Sequence, residues 1–453
     1  MFETIRNAFK IKDVRKKILM TILFLIIFRL GCYITIPGLA KIQLEEGMNI
    51  FGLLDSITGS ALSQGTLFSL GISPYINASI IVQLLTVAIP RLEKLSKEGE
   101  EGREKINKIT RWVTLALSIV SALGVFLSLR NNSGYVNTAW LGAQYSDFFK
   151  GTAGQWIMGI YIVVLLVGGS MLTMWIGERI TEFGVSNGIS LLIFTGIIAT
   201  AVQQLTNTLF GGGNWVEVLI FLVELILIFG FIVWVDGAER KIKVQYAKQV
   251  KGNKMYGGQS TFIPIKVNAS GVMPLIFAYA LMSFPTMLIQ TFWSNKPIAS
   301  WWNTWMTASG NAVGVIVYNV ILAILIFVFA YFYSQIQFNP VEISRNIQNN
   351  GGFVTGIRPG RETAEYLQRV VSRITLWGAI FLAIIAFVPS ILFQLPSWLG
   401  WVNQASGLIS SFSTTGMLIC VSVALEFDKA LENQILMRHY KGLLGSNKKG
   451  FLG

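Results

Sequence analysis

Ten long apolar runs alternate with short polar segments along this chain. They fall at approximately Ile18 to Ile36, Ile72 to Ile89, Trp112 to Leu129, Trp156 to Ile176, Ile189 to Phe210, Val216 to Val235, Val272 to Phe292, Val313 to Phe338, Ile374 to Leu392 and Ile409 to Leu425. A membrane-spanning helix needs about 20 predominantly apolar residues, so each run predicts one span. The first run follows a basic segment holding Arg6, Lys10, Lys12, Arg15, Lys16 and Lys17, as a secretion signal would. It is too long for one, carries Arg29 and lacks a small-residue cleavage motif, so it reads as a retained helix. The pattern predicts an all-α membrane protein with ten transmembrane helices. Five spans fall on either side of a midpoint near Gly212, which makes residues 1–211 and 212–453 two halves of opposite orientation.

Spans two and seven correspond under that inversion, and both begin with breaker-rich polar sequence. One starts Gly71-Ile72-Ser73-Pro74-Tyr75-Ile76-Asn77, the other Asn268-Ala269-Ser270-Gly271-Val272-Met273-Pro274. Proline is well tolerated at a helix start, which explains either segment alone. Gly/Pro-interrupted segments at matching positions of two halves point to the functional path.

Charge orients the whole chain. Of the 36 Lys and Arg, 31 fall in one alternate set of loops and tails, the remainder being Arg29 inside the first run and Lys41, Arg130, Lys150 and Lys296 in the opposite set. Short loops rich in Lys and Arg stay in the cytoplasm, so both termini are expected there, along with clusters at Arg91 to Arg111, Arg240 to Lys266 and Arg345 to Arg373. An odd number of spans would break this pattern. A hydrophobic content of 53% with 13% charged residues and a mean hydropathy of +0.58 excludes a soluble core. The net charge of +13 sits in membrane-flanking loops rather than on a compact basic domain with stacking aromatics, which argues against a nucleic-acid-binding module. Lipid headgroups, a ribosome or an acidic cytosolic protein are its expected partners. Cys32 and Cys420 stand apart in apolar runs and His439 is the one histidine, so neither a disulfide framework nor a metal site is indicated.

The motifs resemble those of the SecY family, the central channel subunits of the protein translocase. The resemblance rests on Gly71 to Ile80 with Gln83-Leu84-Leu85, and on Trp175-Ile176-Gly177-Glu178-Arg179-Ile180-Thr181-Glu182 leading to Gly184 to Ser190. Tyr246-Ala247-Lys248, Gln259-Ser260-Thr261 with Pro264 to Asn268, Phe338-Asn339-Pro340 and Gly356-Ile357-Arg358-Pro359-Gly360 extend it in order along almost the whole chain. Two departures stand out: Ser186 where the family usually has glycine, and Ser413-Thr414-Thr415-Gly416 in place of a Gly-Gly-Thr-Ser pattern.

The resemblance implies two inverted five-helix halves around a central pore that passes unfolded secretory preproteins across a bacterial cytoplasmic membrane. It places a pore ring at Ile72, Ile76, Ile193, Ile276 and Ile419. Branched apolar side chains in a narrow ring block ions by dewetting while remaining deformable, and Ile72 and Ile76 have the four-residue spacing that stacks side chains on one helical face. Ordinary packing explains most isoleucines equally well. It also implies a lateral gate between spans two and seven, with Gln83 and Asn268 as polar gate residues. Interhelical hydrogen bonds there would contribute about 0.6 to 2 kcal/mol, weak enough for an apolar signal segment to open on its way into lipid. Residues 50–64, including Ile57, Gly59, Ser60 and Leu62, become the plug, whose Gly and Ser content suits loose packing. Basic loops at about 237–268 and 339–372 become docking surfaces for the SecA motor or the ribosome, through Arg240, Lys241, Lys251, Lys254 and Arg358. Contact with ribosomal RNA is the extent of any nucleic-acid role. SecE and SecG are the implied small membrane partners.

Two other classes remain. Glu217 and Glu224 lie in span six, Glu224 near its middle, and an ionisable group at that depth is a functional candidate. An ion-coupled secondary transporter of a small solute, with Glu224 as coupling site, is therefore the alternative reading. A membrane-embedded enzyme would need metal ligands or a nucleophile with its base, and no Gly-Lys-Ser/Thr phosphate loop is present. No enzyme activity and no cofactor are expected; ATP hydrolysis would belong to a partner.

Overall fold

The computed structural model describes residues 2–39, 55, 58–131, 152–210, 215–246, 249–251, 254–256, 260–268, 271, 273–293, 296–306, 312–392 and 414–449. Each of the ten apolar runs lies largely on a helix. They correspond to α2 (Lys12–Gly31), α3 (Ser73–Ala88), α5 (Glu100–Asn131), α6 (Thr152–Phe183), α7 (Gly188–Phe210), α8 (Trp215–Asp236), α9 (Met273–Trp293), α11 (Ala312–Gln337), α13 (Arg361–Leu392) and α14 (Thr414–Lys449). Four shorter helices accompany them: α1 (Phe2–Lys10), α4 (Pro90–Lys97), α10 (Pro297–Trp305) and α12 (Pro340–Asn349).

Among the described residues, the segments Glu100–Leu127, Gly154–Phe183, Ile316–Asn349 and Arg361–Ile384 are long and apolar enough to cross a membrane unaided. A fifth is the pair α3 and α4, bent by 105° at Ile89. The bend follows from sequence: Ile89 precedes Pro90, whose ring excludes the helical region for its predecessor, and Ile89 sits at φ −107°, ψ 114°.

Helix boundaries differ from the apolar runs at two places. Helix α13 begins at Arg361, well before Ile374, and α14 runs on to Lys449, well past Leu425. Both extensions are polar and continue the apolar runs as unbroken helix. Five short strands also escaped the period-3.6 reading: β1 (Glu239–Tyr246), β2 (Gln249–Lys251), β3 (Lys254–Tyr256), β4 (Ser260–Lys266) and β5 (Gly352–Val354). Strand β1 pairs antiparallel with β4, from Glu239 opposite Lys266 to Gln245 opposite Ser260, and on its other edge with β5.

The chain divides into two compact units, one of Met1–Val218, Ala280–Val317 and Ala405–Gly453, the other of Leu219–Tyr279 and Tyr318–Gln404. In the first, α3 packs on α5, α5 on α6, α6 on α7, and α14 on α7. One buried cluster there joins Ile36, Leu39, Leu62 and Leu70 to Ala122, Val125, Met158, Ile162 and Leu166. A second joins the chain ends: Ala8, Val14 and Ile18 pack with Val185 and Leu431, and the Gln434 amide donates to the Val185 carbonyl at 3.2 Å. The amino-terminal helix, the carboxy-terminal helix and the α6–α7 turn therefore share one end of this unit. In the second unit, Ile242, Val244 and Ile265 of the sheet bury against Ile347, Val354, Leu367, Val370, Val371 and Ile374.

Candidate functional site

The segment preceding span two is seated, not loose. Thr58, Ala61, Leu62, Thr66 and Ser69 are all almost fully buried. Hydrogen bonds close its turns on themselves. The Ser63 amide donates to Asp55 Oδ1 at 2.8 Å, the Ser60 amide to the Asp55 carbonyl at 2.8 Å, and the Thr66 and Ser69 hydroxyls both donate to the Ala61 carbonyl at 3.0 Å. Backbone bonds from Ile36 to Gly65 and from Leu67 to Ile34 stitch it to the end of span one, and Phe28 stacks on Phe68 at 5.8 Å. The small residues expected to weaken the packing instead let the backbone enter a tight space.

Gly59 is the clearest case. Its φ of +73° is left-handed, and a Cβ there would collide with the Arg29 guanidinium and lie 3.1 Å from the Gly196 carbonyl oxygen of α7. Ser60 follows at φ 64°, also left-handed. Arg29, conspicuous in sequence as a cation inside the first span, thus projects at the expected plug. Its Cζ lies 5.6 Å over the Tyr33 ring, while its Nη1 is buried without a hydrogen-bond partner. The sequence signalled Arg29 but gave no means of pairing it with Gly59. Asp55 was also missed: burial pushes its carboxyl above the ordinary carboxylate range, partly offset by the Ser63 and Leu62 hydrogen bonds.

Of the expected plug residues, Gly59, Ser60 and Leu62 occupy this seat, and Ile57 lies outside the described residues. Among the expected ring residues, Ile72, Ile193 and Ile419 are buried and Ile76 is half-buried, all in the first unit. A Cβ at Gly177 would lie 3.4 Å from Ile72 Cδ1 and 3.3 Å from Leu192 Cδ1, which sets Ile72 beside the turn of α7 that carries Ile193. Ile276, on the first turn of α9, is half-buried in the second unit.

Each expected gate residue has a local partner. Gln83 Nε2 donates to Ser79 Oγ one turn earlier at 3.3 Å. Asn268 is 5% exposed, and its Nδ2 donates to Asp236 Oδ1 at the end of α8, 3.1 Å away. An ionised carboxylate only accepts, so Asp236 fixes which way the amide points. Asn268 Oδ1 is left buried with no partner.

The basic loops carry two sheets, the three-stranded β4–β1–β5 and the two-stranded β2–β3. Arg240 and Lys241 are exposed on β1, and Lys241 Nζ lies 3.3 Å from Glu239. Lys251 and Lys254 face each other across the β2–β3 register, while Lys248 lies outside the described residues. Arg358 is exposed in a turn whose Gly356 and Gly360 adopt φ +84° and +100°. The turn is tied from below by Thr363 Oγ1 donating to the Arg358 carbonyl at 2.8 Å and Ser344 Oγ to the Gly360 carbonyl at 2.6 Å. Among the described residues no group of three or more His, Cys, Asp or Glu could hold a metal ion.

Apolar helices in two compact units, a buried segment before span two and a small sheet with exposed cations define a polytopic helical membrane protein. The fold is shared with solved channels. A structure described as "The structure of a protein conducting channel" superimposes with a TM-score of 0.66 at 19% identity, covering 92% of each chain. "Sec61 in the Canine ribosome-channel complex from the endoplasmic reticulum" superimposes with a TM-score of 0.63 at 18% identity, again over 92% of each. The model of the SecY family matches residues 66–427. A curated relative, "Protein translocase subunit SecY" of Thermotoga maritima, is 39% identical and covers 99% of both chains. The chain belongs to the SecY family, and it is a multi-pass membrane protein. Membership sets aside the ion-coupled small-solute transporter: Glu224 sits on α8, but a protein-conducting channel has no solute coupling for it to perform.

Proposed function

We infer that this chain is the pore-forming subunit of a protein translocase, a channel that conducts polypeptides across and into a membrane. The observation that carries the inference is similarity over 99% of the chain to a translocase subunit. The finer reading follows from the residues. Residues 50–64 act as the plug, and of these Gly59 packs against Arg29 and Leu62 lies in the apolar core. Ile72, Ile76, Ile193, Ile276 and Ile419 form the ring that the plug seals, and dewetting between branched side chains holds back ions. Inverted halves 1–211 and 212–453 meet at spans two and seven. Gln83 and Asn268 line a lateral gate there, through which signal and transmembrane segments of preproteins enter lipid. The unpartnered Asn268 Oδ1 supports that role, because an acceptor lacking a bond in one state is available to a donor in another.

The positive-inside pattern supports a cytoplasmic position for both termini, in keeping with a bacterial cytoplasmic membrane, and the shared end of α1 and α14 supports a common side. Arg240, Lys241, Lys251, Lys254 and Arg358 then face SecA or the ribosome, with SecE and SecG bracing the helices from lipid. The test is export of a signal-bearing reporter in proteoliposomes with SecE, SecG and SecA, using a substrate stalled midway and cysteines at Ile76 and Ile276. Crosslinks from both to the stalled chain are expected. ATP-driven export without them would move the ring, and no export with assembled partners would overturn the function.

A further inference from the structure

Helix α10 lies between spans seven and eight and is nine residues long, or about 13 Å at 1.5 Å per residue. It cannot cross a bilayer. Its sequence Pro-Ile-Ala-Ser-Trp-Trp-Asn-Thr-Trp places three tryptophans in those nine residues. At 3.6 residues per turn they sort into three faces. Ile298, Trp301 and Trp305 share an arc of about 60° and are 50%, 52% and 38% exposed. Ala299 and Trp302 share a second arc that faces protein: Ala299 is 3% exposed, and the Trp302 indole Nε1 donates to Thr286 Oγ1 of α9 at 2.9 Å. Ser300, Asn303 and Thr304 make up the third, polar arc, with exposed Lys296 just before the helix.

The helix is tied to protein at two points. Besides the Trp302 bond, the Thr304 carbonyl packs so closely on Gly314 of α11 that a Cβ there would collide with it. The exposed apolar stripe is therefore fixed in place, not a side of a wandering loop. It continues an aromatic rim, since Phe292 and Trp293 at the end of α9 are 50% and 44% exposed.

We propose that α10 is an interfacial helix that docks on the headgroup layer of the external leaflet and pins the outer end of span seven there. Three faces in the circular order protein, water and apolar surroundings match an environment with three phases, and only the rim of a membrane protein offers one. Tryptophan suits it, with an apolar ring body and an N–H that seeks polar partners, and Lys296 supplies a cation for lipid phosphate. The proposal depends on the multi-pass reading and, for the choice of leaflet, on the proposed orientation, but not on the plug, ring or gate assignments. If the gate assignment also holds, headgroup contacts at α10 bear directly on a gate helix through the Trp302–Thr286 bond.

The test uses nitroxide labels placed singly by Ile298→Cys, Trp301→Cys, Trp305→Cys, Ser300→Cys and Asn303→Cys, with the buried Cys32 and Cys420 replaced by alanine. The whole translocase is reconstituted in phospholipid vesicles containing an anionic lipid. Labels at 298, 301 and 305 should show an oxygen-to-nickel-chelate accessibility ratio about threefold or more above those at 300 and 303, as amphipathic interfacial burial requires. Equal ratios on the two faces would overturn the proposal. Low access to both reagents at 298, 301 and 305 would overturn it as well, in favour of a protein subunit covering the stripe. A measurement on the unsubstituted chain covers any variant that fails to insert: a photoactivatable phospholipid with its reactive group at headgroup depth should label the peptide 296–305. Adducts elsewhere on the chain but none on that peptide would refute lipid docking.

Discussion

The seat of the proposed plug and the Arg358 turn are built from the same local chemistry and put it to opposite use. In the seat, left-handed Gly59 and Ser60 sink the backbone among α2 and α7, where a Cβ at Gly59 would strike the Arg29 guanidinium. In the turn, left-handed Gly356 and Gly360 lift a single guanidinium into solvent, and a Cβ at Gly356 would meet nothing within 4 Å. Arginine is present in both: Arg29 has Nη1 buried and unpartnered, whereas Arg358 is exposed. The seat should therefore fail when atoms are added to the backbone or removed from its core. The turn should tolerate changes in bulk and fail only in recognition.

The largest effect expected is from Leu62→Ala. Leu62 is 1% exposed and shares its cluster with residues of α5 and α6, so truncation leaves a cavity costing about 2 to 5 kcal/mol. Lower thermal stability and a rise in halide leak through proteoliposomes holding the idle channel would check it. Unchanged leak would mean that residues 58–64 do not seal the pore. Gly59→Val comes next. It combines a left-handed strain of about 1 to 2 kcal/mol with overpacking of about 1 to 3 kcal/mol against Arg29 and Gly196. Its leak should exceed that of Gly356→Val, the matched change in the turn, which bears only the backbone strain. Equal leak from the two valine variants would remove the distinction between seat and turn.

The ten apolar helices were legible in the sequence because apolar length is a local signal that the bilayer enforces without tertiary help. The β1–β4 pairing was not. Its alternation covers only Ile242 and Val244 against Ile265, and those side chains become a core because Ile347 of α12, Val354 of β5 and Leu367 of α13 arrive about a hundred residues later. The turn at Arg358 was readable from its glycines and proline, since φ preference is intrinsic to the residue. The seat was misjudged as loose because small residues read alike whether they give freedom or permit close approach, and only the neighbours Arg29 and Gly196 decide between the two. For the same reason Asn268 stood out as polar at a breaker, while its partner Asp236, 32 residues earlier, did not.

Arg358→Glu tests the other side of the comparison. An exposed surface change away from packing should move stability by no more than about 0.5 kcal/mol. Removing a presented guanidinium from a docking contact should cost about 2 kcal/mol of binding or more, read as a drop of tenfold or greater in SecA-driven export at limiting SecA. Arg358→Lys should restore only part of it, because an ammonium offers a point charge in place of the planar fork. Full export by Arg358→Glu, at normal channel abundance, would leave the turn with no recognition role.

The smallest effect belongs to Asp55, and it separates seat from turn by pH alone. Burial raises its carboxyl above the ordinary value of 3.8 in the seat, whereas in the proposed released state, with the segment in water, it would return to that ordinary value. The seated state therefore binds the proton more tightly. Its advantage is complete below the ordinary value, shrinks as pH rises from there towards the seated value, and stays at its lower level above it. Idle-channel leak should climb as the external pH is raised through the acidic range and then level off. Asp55→Asn keeps an oxygen to accept the Ser63 amide at 2.8 Å but cannot ionise, so its leak should be flat across the same range. The Arg358 turn carries no carboxyl of this kind, and its export function should not share the profile. A wild-type leak independent of pH, or an Asp55→Asn variant that still follows it, would assign the seating energy to packing around Leu62 and Gly59 alone.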